Sequence, residues 1–160
     1  MSKPASPLLS IAAFALLAVA LTACSTSVAS LLPQAGGPLV TVTTRGGECV
    51  DGPCGSVTVI DRGGTIRATE PAAAELGTVP AETLTALDAA IKTTDFDVLR
   101  AVPFQGECPV NFDGQEFIYE FNAPGGVERI ASCETAIDDA HPVFAALTAA
   151  LVAVDVIPAP

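Results

Sequence analysis

Basic residues are scarce in this 160-residue chain, and their scarcity excludes one broad class of function. Lys and Arg together number 7 against 18 Asp and Glu, which gives a formal net charge of −11 at pH 7. Binding to a phosphate backbone or to an anionic lipid surface requires clusters of Lys and Arg, so an acidic domain of this kind repels both. We therefore expect no nucleic-acid partner.

The common catalytic motifs are also missing from the sequence. The chain has 1 histidine, His141, so a serine triad or a histidine-based metal site would have to use this side chain. There is no Gly-x-Ser-x-Gly nucleophile elbow, no Cys-x-x-Cys redox motif and no glycine-rich loop ending in Gly-Lys-Ser/Thr. We therefore predict a protein without enzymatic activity and without a cofactor.

His141 lies in the segment Asp138-Asp139-Ala140-His141-Pro142, which has two interpretations. In the first, Glu134, Asp138 and His141 bind a metal, or an aspartate orients His141 as a base. In the second, Asp138 or Asp139 caps a helix that Pro142 opens, because a carboxylate is stabilised at the positive end of the helix dipole. Capping explains the local order without further partners. A hydrolase or metal-binding protein centred on His141 is therefore the weakest of three functional hypotheses.

Closely spaced carboxylates offer a second candidate for acid/base chemistry. Glu116 and Glu120 lie on a predicted strand, and Asp95 and Asp97 lie in a predicted short turn from Asp95 to Arg100. Acidic residues that alternate in a strand are typical of a solvated sheet face, so we interpret them as surface groups. Asp-Gly pairs at 51–52 and 113–114 lack the further oxygen ligands of a calcium loop. The sequence therefore predicts no metal site.

The first 24 residues have the order of an export signal. Lys3 precedes an uncharged apolar run from Leu8 to Leu21, and small residues then lead into Cys24. The segment Leu21-Thr22-Ala23-Cys24 resembles the lipobox of bacterial lipoproteins. The resemblance implies a signal peptide of residues 1–23 and a diacylglycerol on the Cys24 sulfur. The apolar run is shorter than the ~20 residues of a membrane-spanning helix, so a retained helix is less favoured, as is ordinary secretion.

The lipobox resemblance also implies a location. Two acyl chains anchor a protein stably where one holds only marginally, so a palmitate-type lipid anchor suits a cell-envelope protein on the extracytoplasmic side. Ser25 after the cysteine is compatible with either the cell membrane or an outer membrane. The preference for Arg over Lys and the abundance of Ala, Val, Thr and Asp resemble a GC-rich actinobacterial proteome. Beyond the signal region, the sequence resembles no characterised family.

Four cysteines follow the predicted anchor, namely Cys49, Cys54, Cys108 and Cys133. An exported domain folds in an oxidising compartment, so an even number predicts two disulfides with three alternative connectivities. We favour Cys49–Cys54, which brackets a turn at 51–53, together with Cys108–Cys133. A zinc site is the alternative, because Cys49 and Cys54 have nearly the spacing of a zinc knuckle. Cys108 and Cys133 are too far apart in sequence for a second knuckle.

The remaining pattern predicts a flexible tether at 24–38 and a single α+β domain at 39–160. We expect about five antiparallel strands with two helices packed on one face. The predicted strands cover 39–44, 56–60, 65–69, 116–121 and 127–133, and the predicted helices cover 80–92 and 142–154. The residues expected to face the core are Val57, Val59, Ile66, Leu84, Leu87, Ile91, Phe144, Leu147 and Leu151, with Phe117, Tyr119 and Phe121 sharing one face.

Two parts of the chain repeat the same order of features. Gly47-Glu48-Cys49 and Gly106-Glu107-Cys108 each precede an Asp-Gly pair, a Gly-Gly hairpin and a helix opened by proline. This order suggests an internal ββα duplication, which would relate the two halves by an approximate twofold axis.

These features together predict a membrane-anchored envelope lipoprotein with a small, non-enzymatic binding domain of unknown ligand. A rigid loop formed by Glu48, Asp51, Gly52 and Pro53 is the predicted contact surface for an envelope or secreted protein. The main alternative is a proteinase inhibitor, because secreted inhibitors of the subtilisin-inhibitor type are similar in size and disulfide number, although their cysteine spacing differs. An approximate twofold axis together with a concave sheet lined by aromatic residues would instead favour a ligand cleft around Tyr119. Without them, the aromatic residues are expected to be core.

Overall fold

Alternating β-branched and aromatic residues form a six-stranded antiparallel sheet with the strand order β4-β3-β2-β1-β5-β6. The computed structural model describes residues 37–49 and 52–157, all within one compact unit, Pro33–Pro160. The strands are β1 (Pro38–Cys49), β2 (Gly52–Asp61), β3 (Thr65–Glu70), β4 (Ala74–Thr78), β5 (Glu116–Ala123) and β6 (Gly126–Ala131). The predicted α+β class with an antiparallel sheet is confirmed.

Three α-helices accompany the sheet: α1 (Ala81–Thr93), α2 (Phe96–Arg100) and α3 (Pro142–Val152). A short 3-10 turn, Pro109–Phe112, precedes β5. Pro80 and His141 immediately precede α1 and α3, and Pro142 occupies the first turn of α3, where its missing N–H is not needed. The apolar stripes predicted for both long helices are confirmed, because Leu87, Ile91, Phe144, Leu147 and Leu151 are all buried.

One face of the sheet packs against α1 and α3 and holds the core. Val40 pairs with both Ile60 and Phe121, so these three side chains lie next to one another on that face. All three are fully buried in a cluster that includes residues of both helices. We call this the helix face of the sheet, and the other the outer face.

The side chains of β2 face the opposite way from our prediction. Ile60 points to the helix face, so strand alternation places Val57 and Val59 on the outer face, outside the cluster below the helices. Val59 is nevertheless buried, as predicted, whereas Val57 is only partly buried. Ile66, which pairs with Ile60, is buried in the core as predicted. The prediction was based on the alternation of the two valines, but the pairing with β1 determines which side chains of β2 face the helices.

The sheet has one strand more, and the helical layer one helix more, than predicted. The segment Ala-Glu-Leu-Gly-Thr of β4 is mostly exposed and contains a glycine, so it shows no alternating pattern. Pairing with β3 nevertheless makes it an edge strand. The turn predicted after Asp95 is the short helix α2, where the Asp95 carboxylate accepts hydrogen bonds from the Asp97 and Val98 N–H groups at 3.1 and 3.2 Å.

The first strand extends beyond its predicted end at residue 44, and Gly46 and Gly47 form a bulge within it. Both have positive φ, 85° and 84°, and the pairing with β2 shifts between Arg45 and Glu48. A Cβ on Gly46 would lie 2.8 Å from the Gly114 carbonyl oxygen, so this position requires glycine.

The directions of the strands exclude the expected twofold axis. The β2–β3 and β5–β6 hairpins lie on opposite sides of β1, and β2 and β5 run in the same direction because both are antiparallel to β1. A twofold rotation that maps β2 onto β5 without reversing the strand direction has its axis along the strands. Such a rotation would place the two helices on opposite faces of the sheet. Both α1 and α3 contribute to the same core cluster, so the two halves are not equivalent ββα units.

Cys108 and Cys133 are disulfide-bonded, with their Cα atoms 5.0 Å apart. This predicted bond is confirmed, and it joins the segment before β5 to the end of β6. The side chain of Cys49 lies outside the described residues, so the Cys49–Cys54 bond stays a prediction. The predicted leader and most of the tether also fall in residues 1–36, outside the described part. Within the described ranges, no helix has the length and apolar character needed to cross a membrane.

Candidate ligand groove

A groove of about 250 Å³ lies between the helix face of the sheet and α3. It forms because the helix face changes character along its strands. Near Val40 and Ile60 the side chains are large and fill the space below the helices. Farther along the same face, β1 and β2 carry the smaller Thr44, Ser56 and Thr58, which leave the space open.

Aromatic side chains of β5 form one wall of the groove. Phe117, Tyr119 and Phe121 are two residues apart and therefore point to the same face, with ring centroids 6.4 and 6.2 Å apart along the row. Phe144 of α3 meets the Tyr119 ring edge to face at 5.2 Å. The predicted shared face of these aromatics is confirmed. Phe121 is core, whereas Phe117 and Tyr119 line the groove.

The opposite wall comes from α3 and from the turn that follows it. Leu147, Thr148 and Leu151 are spaced at three and four residues, so they project from one side of the helix into the groove. The chain then turns back at Asp155, whose φ is 56°, and the Val156 N–H donates to the Leu151 carbonyl at 3.0 Å. This turn brings Val156 and Ile157 to the groove as well.

Most polar residues that line the groove are uncharged hydroxyl residues: Thr44, Ser56, Thr58, Tyr119 and Thr148. Burial raises the pKa of the Tyr119 phenol above its ordinary value of 10.0, and the negative charge of Asp139 raises it further. Of the described residues that line the groove, Asp139 is the only charged one. The Thr44 and Ser56 hydroxyls bond to each other at 2.8 Å. The groove thus combines an apolar body with one negative charge.

The residues proposed for a His141 centre do not form one. His141 caps α3, where Nδ1 accepts a hydrogen bond from the Val143 N–H at 3.3 Å. Asp138 accepts from the Ala140 N–H at 3.0 Å, so the prediction that an aspartate caps α3 is wrong. Glu134 pairs with Arg129 at 3.0 Å. An imidazole that caps a helix in this way has its Nδ1 lone pair occupied.

The carboxylates of β5 differ from each other. Glu120 is exposed, as expected for a solvated face. Glu116 is only 1% exposed and pairs with Arg45 of β1, so its assignment as a surface group is wrong. It lies on the outer face of the sheet, opposite the groove. The structure therefore does not bring Glu116 and Glu120 together as an acid/base pair.

The predicted contact loop falls largely outside the described residues. Glu48 pairs with Pro53 along the backbone, and it is exposed. Asp51 and the side chain of Pro53 are not among the described parts of the chain, and Gly52 is described only as the first residue of β2. The contact surface therefore stays a prediction.

Comparisons with protein-family models, with curated proteins and with solved structures find no match to this chain. The groove geometry is therefore the basis for inferring a function. The expectation of a cleft around Tyr119 was tied to a twofold axis that the sheet lacks, and no sequence signal indicated that Asp139 lines the groove. The hydroxyl residues of β1 and β2 were a sequence signal for the groove, because small side chains beside a strand of aromatic residues leave open space.

Proposed function

We propose that the protein is an exported, lipid-anchored binding protein whose ligand is an apolar amine held in the groove between the sheet and α3. The observation that carries this proposal is the combination of an aromatic and aliphatic groove with a single acidic side chain, Asp139. The function is non-enzymatic, and the groove replaces the Cys49–Cys54 loop as the preferred contact site.

The size and lining of the groove support a small or narrow apolar group. Its volume of about 250 Å³ lies just below the ~300–1,000 Å³ typical of small-molecule sites. An alkyl chain or a single ring suits such a space, and each buried methylene contributes about 0.8 kcal/mol. Phe117, Tyr119 and Leu147 are positioned to contact this group.

The charge of the groove supports a cationic end on the ligand. Asp139 supplies a carboxylate, and no basic residue lines the groove among the described residues. An amine near Asp139 would also lie close to the Tyr119 ring, whose face attracts cations. The net charge of −11 favours the approach of a cation and opposes that of an anion.

Two observations support the exported location. The first is the lipobox-like segment that ends at Cys24. The second is the Cys108–Cys133 disulfide, because such bonds persist mainly outside the cytosol. Mass spectrometry of the native protein tests the anchor, which predicts loss of residues 1–23 and a diacylglyceryl group on Cys24.

Ligand binding can be measured through the protein's own fluorescence. The chain has 1 tyrosine and no tryptophan, so Tyr119 emission reports the groove directly. We expect a long-chain alkylamine, added below its micellar concentration, to change this emission saturably. The matched alcohol should bind about threefold to fivefold more weakly, since an ion pair with an exposed carboxylate such as Asp139 contributes up to about 1 kcal/mol. The matched alkyl sulfate should bind more weakly still.

Variants of two neighbouring aspartates identify the charge responsible. Asp139→Asn should remove the preference for the amine over the alcohol. Asp138→Asn is the matched control, because Asp138 is absent from the groove lining and an asparagine oxygen can keep its bond to Ala140. Equal binding of amine and sulfate, or equal effects of the two variants, would refute the proposed ligand chemistry.

A further inference from the structure

Glu116 has a buried carboxylate that is only half satisfied. Its Oε2 accepts from Nε of Arg45, which is 62% exposed, while Oε1 is buried without a hydrogen-bond partner. Leaving such an atom unpaired destabilises the folded state, and the effect is larger for a charged group than for a neutral one. A carboxylate oxygen kept in this position therefore suggests a further partner.

Two sulfur atoms lie beside this carboxylate. A carboxylate oxygen of Glu116 and the Sγ atoms of Cys108 and Cys133 all lie within 4.8 Å of one another. Among the described residues, this is the group of three that could hold a metal ion. The sulfurs are bonded to each other in the disulfide, so they carry no thiolate charge in this state.

We propose that reduction of the Cys108–Cys133 disulfide creates a zinc site formed by the two thiolates and the Glu116 carboxylate. The site is independent of the groove, since Glu116 lies on the outer face of the sheet. In the first step, a dithiol reductant transfers two electrons and two protons to the disulfide, which gives two thiols and the oxidised reductant. Zinc then binds both sulfurs and releases the two protons to solvent.

The proposed site is electrically neutral when the charges of its four side chains and of the metal are added. Two thiolates and one carboxylate carry three negative charges, and Zn²⁺ with the Arg45 guanidinium carries three positive charges. Charge balance matters here because a buried ion without a compensating partner is strongly disfavoured. Zinc prefers sulfur and carboxylate oxygen ligands at about 2.0–2.3 Å in a tetrahedron, so three protein ligands leave one position for water.

Only a modest movement is needed to form the site. The Cα atoms of Cys108 and Cys133 are 5.0 Å apart, so rotation of the two side chains can separate the sulfurs once the bond is broken. Both cysteines are half-buried, so a reductant and a metal ion can reach them. Glu116 is held by its strand and by Arg45, which orients the carboxylate before the metal arrives.

Metal binding by the full-length chain, with and without reduction, tests this proposal. Zn²⁺ affinity is measured by competition with a chromophoric chelator, and Co²⁺ is used as a second probe because thiolate ligands give it strong charge-transfer absorption. We expect tight binding of one ion by the reduced protein that the oxidised protein lacks. Glu116→Gln should weaken this binding at least about tenfold, the lower range for disturbing a metal-site neighbour.

Two controls separate this site from the other cysteines. Glu120→Gln changes an exposed carboxylate of the same strand and should leave affinity unchanged. A Cys108→Ser/Cys133→Ser double variant keeps the Glu116–Arg45 pair and should lose the tight binding. Retention of affinity in this double variant, or wild-type affinity in a folded Glu116→Gln variant, would overturn the proposal. If Glu116→Gln fails to fold, the double variant alone decides.

Discussion

The Arg45–Glu116 pair predicts an unusual order of stability losses, in which removing the exposed partner costs more than removing the buried one. Arg45 is 62% exposed, whereas Glu116 is 1% exposed. Arg45→Met leaves a buried carboxylate with a donor to neither oxygen. Breaking a fully buried pair costs about 3–5 kcal/mol, which is the upper limit for this half-exposed pair, because the remaining charge is uncompensated.

The reverse substitution should be milder. Glu116→Gln leaves the guanidinium of Arg45 able to turn into water, and the amide still fills the space of the carboxylate. We expect a loss of about 1 kcal/mol, the usual net value of one hydrogen bond. The Arg45→Met/Glu116→Gln double variant should have the same stability as Glu116→Gln alone, because no buried, unpaired charge remains in either protein.

Urea denaturation at neutral pH, followed by far-UV circular dichroism, measures these differences. Arg129→Met is the matched control, since Arg129 of β6 forms an exposed pair with Glu134 in the turn that follows this strand. Breaking that pair should cost about 1 kcal/mol or less. A loss for Arg45→Met that is no larger than the losses for Glu116→Gln and Arg129→Met would refute the reasoning. It would mean that the Glu116 carboxylate is solvated or otherwise stabilised without Arg45.

Three further predictions concern the disulfide, the groove and the anchor. The Cys108→Ser/Cys133→Ser variant lacks the disulfide that links two residues 25 positions apart. Its free energy of unfolding should be lower by about 3.5 kcal/mol in the chain-entropy model, measured by denaturation against the oxidised wild type. The raised pKa of Tyr119 means that its phenol binds the proton more tightly in the folded state than in the unfolded state. The stability that the neutral phenol contributes is therefore complete below about pH 10 and is lost as the pH rises through the folded pKa. A Tyr119→Phe variant should therefore show a shallower alkaline loss of stability than wild type, and equal slopes would contradict the burial of the phenol. Replacing Cys24 with serine should release the protein from membranes in a fractionation experiment, whereas continued membrane association would contradict the lipid anchor.

Local pattern predicted the two long helices and most of the sheet because both carry strong periodic signals. The stripe of Leu87 and Ile91 and that of Phe144 and Leu147 follow the 3.6-residue period of a helix, and burial confirms each. The aromatic row of β5 follows the two-residue period of a strand. These elements could be identified without any knowledge of their neighbours.

Several of the errors arise where long-range pairing decides the outcome. Val57 and Val59 were expected to face the helices, but the register with β1 places Ile60 and Thr58 on the helix face, and Val59 is buried on the outer face. β4 has almost no apolar pattern and forms because β3 offers an unpaired edge. Glu116 is buried because Arg45 lies directly opposite it in the sheet, a pairing of residues 71 positions apart.

Predicting the groove would have required the same long-range information. Asp139 precedes α3 and lies beside Tyr119 only because α3 packs across the sheet. The sequence placed Tyr119 on a shared aromatic face, but it gave no indication of which charged group would lie next to it. The function proposed here therefore depends on the packing of α3 more than on any motif.

Intermolecular NOEs between an alkylamine and the protein test the central proposal most directly. We predict contacts from the chain methylenes to the ring protons of Phe117, Tyr119 and Phe144, all of which line the groove. Non-specific binding would instead give contacts to exposed apolar residues elsewhere, such as Val98 and Phe112. Contacts confined to those residues, with none to the three groove rings, would contradict the proposal that the groove is the binding site.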